Sequence, residues 1–455
     1  MMAKVKEIDM LKDSVRKERE GFIKIVEQMV KDTFSNRDGN GYVGIKMFGS
    51  MVTDLAIETS DVDLVVTGIN TSLVVGAKEI ITPKEHVLRI MQKLYDNIVG
   101  LRSTGQIQKI KFIREATVPI IKLVADLQVI NQMQTEKAKA KAKKEWEEQR
   151  AMEESSRATG GDGGKKAGKP KSKWDELTLK ELGIEAREID PRMRYLQVDI
   201  SIDEQSDCQV EVTRKHGIPV APTQAGSTDP ISTAAGGDPR MGLIGGQMYQ
   251  TAMPPPALRG HNGIDTIYHI QELQKARKHL RPIVMIIKKI FDETYLSMPF
   301  FGGLSSYSLV LMVSAYLKRF DEGNSESLSR NLSGFFHFYG CYFKPHEFYL
   351  DGDNLKFEEI KRPFRDPFIV LDPLDRSNNI GRGSFRIKDV QRALVQAFKI
   401  ISKSCEEYQK LEEPESTLDS GLPQAQCLPK NVLQRLLTEI REQHFQYNVW
   451  SDDEI

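Results

Sequence analysis

KMFGSMVTDLAIETSDVDLVV, residues 46–66, decides how the chain is read. Its second half, Asp61 to Val66, is apolar and β-branched, the composition of a buried strand. Side chains alternate across a strand, so Asp61 and Asp63 share a face. Two adjacent carboxylates repel, and burying either unpaired costs on the order of several kcal/mol. A shared divalent cation removes that penalty, and hard oxygen ligands of this kind suit Mg²⁺ or Mn²⁺. Upstream, Gly49 lets the backbone approach an anion. Ser50 adds a hydroxyl, and the residues after it can open a helix whose free N–H groups favour phosphate. A bare Asp-x-Asp reads equally well as a solvated strand end. Joined to a Gly-Ser turn and an apolar strand, it points to binding of a metal–nucleoside triphosphate and transfer of its nucleotidyl group.

A third carboxylate lies downstream. The run Tyr195 to Asp203, YLQVDISID, alternates strictly enough to put Val198 and Ile200 on the face opposite Asp199. Added to Asp61 and Asp63, Asp199 completes a three-carboxylate set able to hold two metals ~3.5–4 Å apart.

The bulk composition narrows the classes further. Among 455 residues, 64 Lys+Arg balance 64 Asp+Glu, so the chain has no global basic footprint of a free-standing nucleic-acid binder. RNA or DNA contact must come from local patches or a partner. The four cysteines, Cys208, Cys341, Cys405 and Cys427, show no C-x-x-C spacing. They imply a reducing compartment and neither a zinc site nor a disulfide framework. The charged segment from Met1 to Glu20 does not read as a signal peptide, and no apolar run approaches the ~20 residues of a membrane span. A soluble intracellular protein is expected.

Periodicity outlines the organisation. Ile8, Leu11, Val15, Phe22, Val26 and Met29 predict one amphipathic N-terminal helix. Strands are expected at 43–48, 61–66, 107–112, 118–123 and 195–203, with a helix at 86–98. Helical periods return at 279–295, 305–320, 329–342, 389–411 and 431–446. Two interruptions are expected as insertions, at about 131–190 and 204–260. The first begins as a charged, solvated helix (TEKAKAKAKKEWEEQRAMEESS) and continues as a disordered Gly/Lys-rich run; the second is a long Gly/Pro/Ser/Thr-rich loop. The basic stretch Lys165 to Lys173 reads as a solubilising linker, and the acidic 451–455 as a solvated end. The fold class is α+β, a small sheet bearing the acids followed by a helical domain. The N-terminal helix is expected to pack with the later helices.

With these motifs placed, the chain resembles the DNA polymerase β-like nucleotidyltransferases, and within them the RNA-tailing branch of TRAMP-type poly(A) polymerases and terminal uridylyltransferases. The resemblance rests on FGSMVTDLAIETSDVDLVV, ATVPIIKL (116–123), VDISID, HNGID (261–265), LRPIVMIIKKI, GGLSSYSLVLM and LDPLDRSNNIGRGSFRIKDV (371–390). It implies a palm-like mixed-sheet catalytic domain at 36–260 with disordered insertions. It further implies a helical, PAP-associated central domain formed by 1–35 with 261–411, then a C-terminal helix and acidic tail at 412–455. Under it, Asp61, Asp63 and Asp199 bind Mg²⁺ or Mn²⁺, Asp199 also helping to deprotonate the primer hydroxyl. Gly49 and Ser50 hold the triphosphate, Asn262 the sugar, Lys288 the triphosphate and Ser306 a phosphate. Tyr307 stacks on the base, with Asp372, Asn378, Asn379 and Arg382 in the base-recognition segment. One departure stands out: where uridylyltransferases of this branch often carry a second lysine one turn after the first, this chain has Asp292. Uridylyltransferases commonly carry His at the position of Asn378. The smaller Asn leaves room for a purine and can both donate and accept. The implied activity is template-independent addition of AMP from ATP to an RNA 3′ end. Uridylyl transfer from UTP and a catalytically inactive scaffold are the alternatives. A zinc-knuckle RNA-binding protein and an RNA helicase are the implied partners, without a membrane, and the implied location is the nucleus, with the cytoplasm left open.

Overall fold

Alternation along the predicted strands builds a five-stranded sheet. In chain order it comprises β1 (Gly44–Phe48), β2 (Val62–Thr67), β3 (Ile107–Ile113), β4 (Ile120–Asp126) and β5 (Tyr195–Ile202), arranged β1-β2-β5-β4-β3. Only β2 and β5 run parallel; every other pairing is antiparallel, so the sheet is mixed. This computed structural model describes residues 1–34, 43–69, 83–116, 118–159, 188–203, 263–324, 326–361, 365–412 and 432–444.

One face of the sheet is apolar. Val62, Leu64, Val66, Val198, Ile200, Ile121 and Leu123 are buried there in one core. Ahead of the sheet come α1 (Met2–Ser14) and α2 (Arg16–Thr33), and within it α3 (Pro83–Val99) and α4 (Leu127–Thr159). Helix α2 covers the apolar face through Phe22, Val26 and Val30, α3 through Val87, Met91 and Leu94, and α4 at its start through Leu127 and Ile130. The opposite face of the strands carries Asp63, Asp199 and Lys122.

The expected single N-terminal helix is corrected here. It breaks at Val15 into two helices that serve different cores. Val5 and Ile8 of α1 join the helical core, whereas Val15, Phe22, Val26 and Val30 join the sheet core. A half-buried sheet must cover its apolar face, and the α2 stripe supplies that cover.

The second half forms α5 (Gly263–Ala276), α6 (Leu280–Glu293), α7 (Ser306–Phe320), α8 (Leu328–His337), α9 (Ile387–Glu412) and α10 (Val432–His444). It is not wholly helical as expected: β6 (Phe348–Asp351), β7 (Lys356–Glu359) and β8 (Val370–Leu371) make a small sheet ordered β7-β6-β8. Four-residue strands lie below the length at which periodicity separates strand from loop. Leu436, Leu437 and Ile440 of α10 enter the same core as α6 and α7, so this helix is integral to the helical half.

Within the first insertion, α4 continues as a helix to Thr159 with Lys139–Glu136 and Lys141–Glu145 pairs along its surface, the charged helix expected from composition. The Gly/Lys-rich run, the 204–260 segment, Asn262 and the acidic end lie outside the described residues. Among the described residues, no helix is long and apolar enough to cross a membrane.

Candidate active site

The parallel pairing of β2 with β5 assembles the acid cluster. Asp63 and Asp199 are register partners on adjacent strands, and Asp61 sits just before β2 begins. Each of the three offers a carboxylate oxygen, and these atoms lie within 4.8 Å of one another. Burial pushes the Asp63 carboxyl up to about 8, with Asp61 and Asp199 adding to the shift and Lys122 and Lys288 opposing it. Burial also raises Asp199, against the pull of Lys122. Three half-buried carboxylates packed together, with Asp63 and Asp199 pushed up by burial, are what a divalent cation relieves, so the residues present fit a divalent metal.

The Gly-Ser turn lies directly on this cluster. Gly49 has φ +71°, in the left-handed region, and a Cβ built there would fall 2.0 Å from Asp63 Oδ2. Glycine is therefore required twice over, by conformation and by space. Gly49–Met51 forms a single 3₁₀ turn, and Thr53 donates through N–H and hydroxyl to the Gly49 carbonyl.

Lys122 is the main residue that motif reading missed. It is the register partner of Asp199 on β4, and its ammonium donates to both Asp199 oxygens at 2.7 and 2.6 Å. The signal was present as a lone lysine in the apolar run ATVPIIKL, but its partner on β5 lies 77 residues away.

Lys288 behaves differently from the phosphate-reaching role implied for it. It is buried and donates to the Leu55 carbonyl at 3.1 Å and the Ser60 hydroxyl at 3.2 Å, within the loop that joins the Gly-Ser turn to Asp61. Burial lowers its pKa to about 8, with Asp61, Asp63 and Asp292 opposing that shift. Asp292, the departure from the two-lysine pattern, accepts from Thr59 of the same loop at 2.9 Å. In this structure both positions anchor the loop.

A second cluster gathers the residues for which the resemblance implies base recognition. Tyr307 in the first turn of α7 donates to Asp372 Oδ1 at 3.3 Å, and Asn378 Nδ2 donates to Asp372 Oδ2 at 3.1 Å. Burial, reinforced by Asp372, holds the Tyr307 phenol well above its ordinary range, so it remains a donor. Thr266 on α5 also hydrogen-bonds Tyr307, a partner not foreseen from sequence. Ser306 opens α7, whose N-cap is Ser305 accepting from the Ser308 N–H, and Ser308 donates to the Ile380 carbonyl of the recognition segment. Asn379 departs from its expected role. Its amide oxygen accepts from the Val370 and Gly381 N–H groups, and its Nδ2 donates to Asp366 and the Phe368 carbonyl. All its hydrogen-bonding capacity goes into the loop, which makes it a framework residue. Arg382 is exposed at 68 % and lies 3.6 Å from Asp366. Asn262, immediately before α5, is outside the described residues.

This geometry can be set beside known proteins. A family model described as the central palm domain of a mitochondrial-like poly(A) RNA polymerase matches residues 1–135, which hold the Gly-Ser turn and two of the acids. Poly(A) RNA polymerase protein 2 of Saccharomyces cerevisiae is 30% identical over 159 residues, 32% of this chain and 27% of that protein. Over this first third, the chain is similar to poly(A) RNA polymerases. A second relative, Poly(A) RNA polymerase CID14 of Cryptococcus neoformans, is 27% identical over 177 residues, 36% of this chain and 23% of that protein. The matched stretches thus span about a quarter of these curated relatives. Among solved structures, the polymerase core of TRAMP, an RNA surveillance complex, has a TM-score of 0.48 at 19% identity, covering 94% of this chain and 87% of the other. The Cid1 poly(U) polymerase has a TM-score of 0.43 at 16% identity, covering 90% of each.

Proposed function

We propose that this nucleotidyltransferase adds AMP from ATP to the 3′ end of RNA without a template. The observation that carries the reading is the convergence of Asp61, Asp63 and Asp199 beneath the Gly49 turn, on the sheet face opposite the core. The names of the matched relatives, poly(A) RNA polymerases, support adenylyl transfer to RNA.

Asp61, Asp63 and Asp199 are the ligands for Mg²⁺, which when bound would neutralise phosphate charge and acidify the primer hydroxyl. Asp199 would accept that hydroxyl's proton. Backbone N–H groups of the Gly49 turn and of the α7 start, with the Ser306 hydroxyl, would take the phosphate oxygens. Lys288 fixes the loop that leads into Asp61 and supplies a cationic field toward the leaving pyrophosphate. Tyr307, kept protonated, offers its ring and hydroxyl to the nucleoside, while Asp372 orients both it and Asn378. Most of the rate gain is positioning and charge stabilisation. The overall neutral charge supports reliance on a partner for RNA affinity; the family resemblance, not the charge, implies partners of the zinc-knuckle and helicase kinds and a nuclear setting.

The test is incubation of the purified chain with a short single-stranded RNA, Mg²⁺ and each nucleoside triphosphate separately. ATP is expected to give the longest tails, and Asp61→Ala combined with Asp63→Ala to abolish them while the far-UV spectrum is retained. Tails chiefly from UTP would replace adenylyl with uridylyl transfer. Tailing by the double variant would remove the acids from the site, and no tailing by the wild type under any nucleotide would leave the scaffold reading.

A further inference from the structure

The register of the sheet extends the acid site into a straight row. Asp63 on β2 pairs with Asp199 on β5, Asp199 with Lys122 on β4, and Lys122 with Lys111 on the edge strand β3. Directly paired residues share a face, so these four side chains stand in line on the open side of the sheet. Lys111 therefore lies two strands, roughly 10 Å, from Asp199. The polarity changes along the row from anionic to cationic.

Two lysines directly opposite one another are unfavourable on a sheet unless an anion sits with them. Asp199 answers Lys122 at 2.6 Å. Lys111 is exposed, and no carboxylate among the described residues pairs with it. An edge strand uses lysine to block aggregation, but that purpose does not need the lysine to be aimed at an aromatic ring from the other half of the molecule. The Lys111 ammonium stands 5.9 Å from the centroid of Phe300, which lies in the 3₁₀ turn Pro299–Phe301. Phe300 is 68% exposed, and Phe385, 61% exposed, packs its ring over Gly302, two residues further along the chain from Phe300. Large aromatic rings left this open beside a cation, at the end of a row that begins at a catalytic centre, make a stacking platform with a phosphate anchor.

We propose that the row Lys122, Lys111, Phe300 is the track of the single-stranded RNA primer. Lys122 and Lys111 take backbone phosphates upstream of the 3′ end, and Phe300 stacks on a base beyond them. The assignment rests on the RNA-tailing reading and adds the direction in which the strand leaves the acids, across β4 and β3 toward the Pro299 turn. It predicts little sequence preference, because phosphates and base faces are common to all four nucleotides.

Binding separates this proposal from the tailing activity itself. A fluorescein-labelled 15-nucleotide single-stranded RNA is titrated by anisotropy without nucleotide or metal, over a series of salt concentrations, against the wild type, Lys111→Ala and Phe300→Ala. Each phosphate contact of a single strand contributes about 0.7 to the slope of log affinity against log salt. Lys111→Ala is expected to flatten the slope by about 0.7. Phe300→Ala is expected to weaken binding roughly 5- to 100-fold, the range of one lost stacking contact, with the slope unchanged. Misfolding would not divide the two effects in this way. Wild-type affinity and slope in both variants would overturn the track, as would an equal loss in both with no change of slope. Because the readout is binding, an outcome that supports the track stands even if the nucleotide panel shows no tailing, and tailing with unaffected binding sinks the track alone.

Discussion

Gly49 shows how much can rest on the absence of one carbon. At φ +71° with Asp63 Oδ2 only 2.0 Å from where a Cβ would sit, Gly49→Ala must displace either the turn or the carboxylate. The expected outcome is a loss of more than 100-fold in kcat/KM with modest change in melting temperature; tailing kinetics paired with thermal melts would check it, and near-normal activity would show that the turn and acid are not coupled. Neighbouring asparagines illustrate the opposite case. In sequence, Asn378 and Asn379 fall in one base-recognition segment, with base choice assigned to Asn378. In space Asn379 is wholly committed to Val370, Gly381, Asp366 and Phe368, whereas Asn378 gives one N–H to Asp372 beside Tyr307. Asn378→His should therefore shift nucleotide preference from ATP toward UTP by about tenfold in competition assays, while Asn379→His should chiefly destabilise the loop and lower melting temperature.

At the scale of elements, the loop from Thr53 to Ser60 carries the most structure. It links the Gly-Ser turn to the acid strand, both in the sheet half, yet it is held largely by the helical half. Leu55 and Ile57 are buried in the helical core. Gln274 donates to the Thr53 carbonyl, Arg281 to Asp54, Lys288 to Leu55 and Ser60, and Thr59 donates to Asp292. From the other side, buried Arg19 of α2 donates to the Glu58 carbonyl at 2.8 Å. The loop is thus the joint between the halves as well as the lead-in to Asp61. Ser60 is its keystone, accepting from the Ile57 N–H at 3.0 Å and from the Lys288 ammonium. Ser60→Ala leaves both buried donors without this acceptor, a loss of about 1–3 kcal/mol per orphaned group. Urea unfolding is expected to show a drop of about 2 kcal/mol together with a fall in kcat; unchanged stability would mean that the loop is held without Ser60. The loop's residue types are ordinary in sequence, and its partners on α5 and α6 lie more than 200 positions away.

Across the whole molecule, the acid cluster and Lys288 tie stability to pH. The folded pKa of Asp63 is raised to about 8, so its contribution to stability is full below the ordinary carboxylate range and is lost as pH rises through about 8. The folded pKa of Lys288 is lowered from 10.5 to about 8, so its contribution is full above 10.5 and is lost as pH falls through about 8. Together they place the least favourable point of the metal-free protein near pH 8. Metal binding requires ionised carboxylates, so added Mg²⁺ should raise melting temperature more at pH 8 than at pH 6. Thermal melts with and without Mg²⁺ at both values check this, and Asp63→Asn should flatten the difference. An equal Mg²⁺ shift at both pH values would separate the metal from these groups.

Local rules sufficed for whatever was encoded within a few residues of chain. The Gly-Ser turn, the two acids on one strand, the apolar face of the sheet and the helical periods of the second half follow from spacing and alternation. Asp199 was legible because its apolar neighbours made it anomalous on its own strand. What required the tertiary structure was every relation between distant segments: the pairing of β5 beside β2, the division of the N-terminal segment between two cores, and the lysines of α6 turned onto the Thr53–Ser60 loop. The same holds for the row from Asp199 through Lys122 to Lys111. Register is set by which strands become neighbours, and that is decided by burial of the whole apolar face at once, a sum over residues that no short window contains.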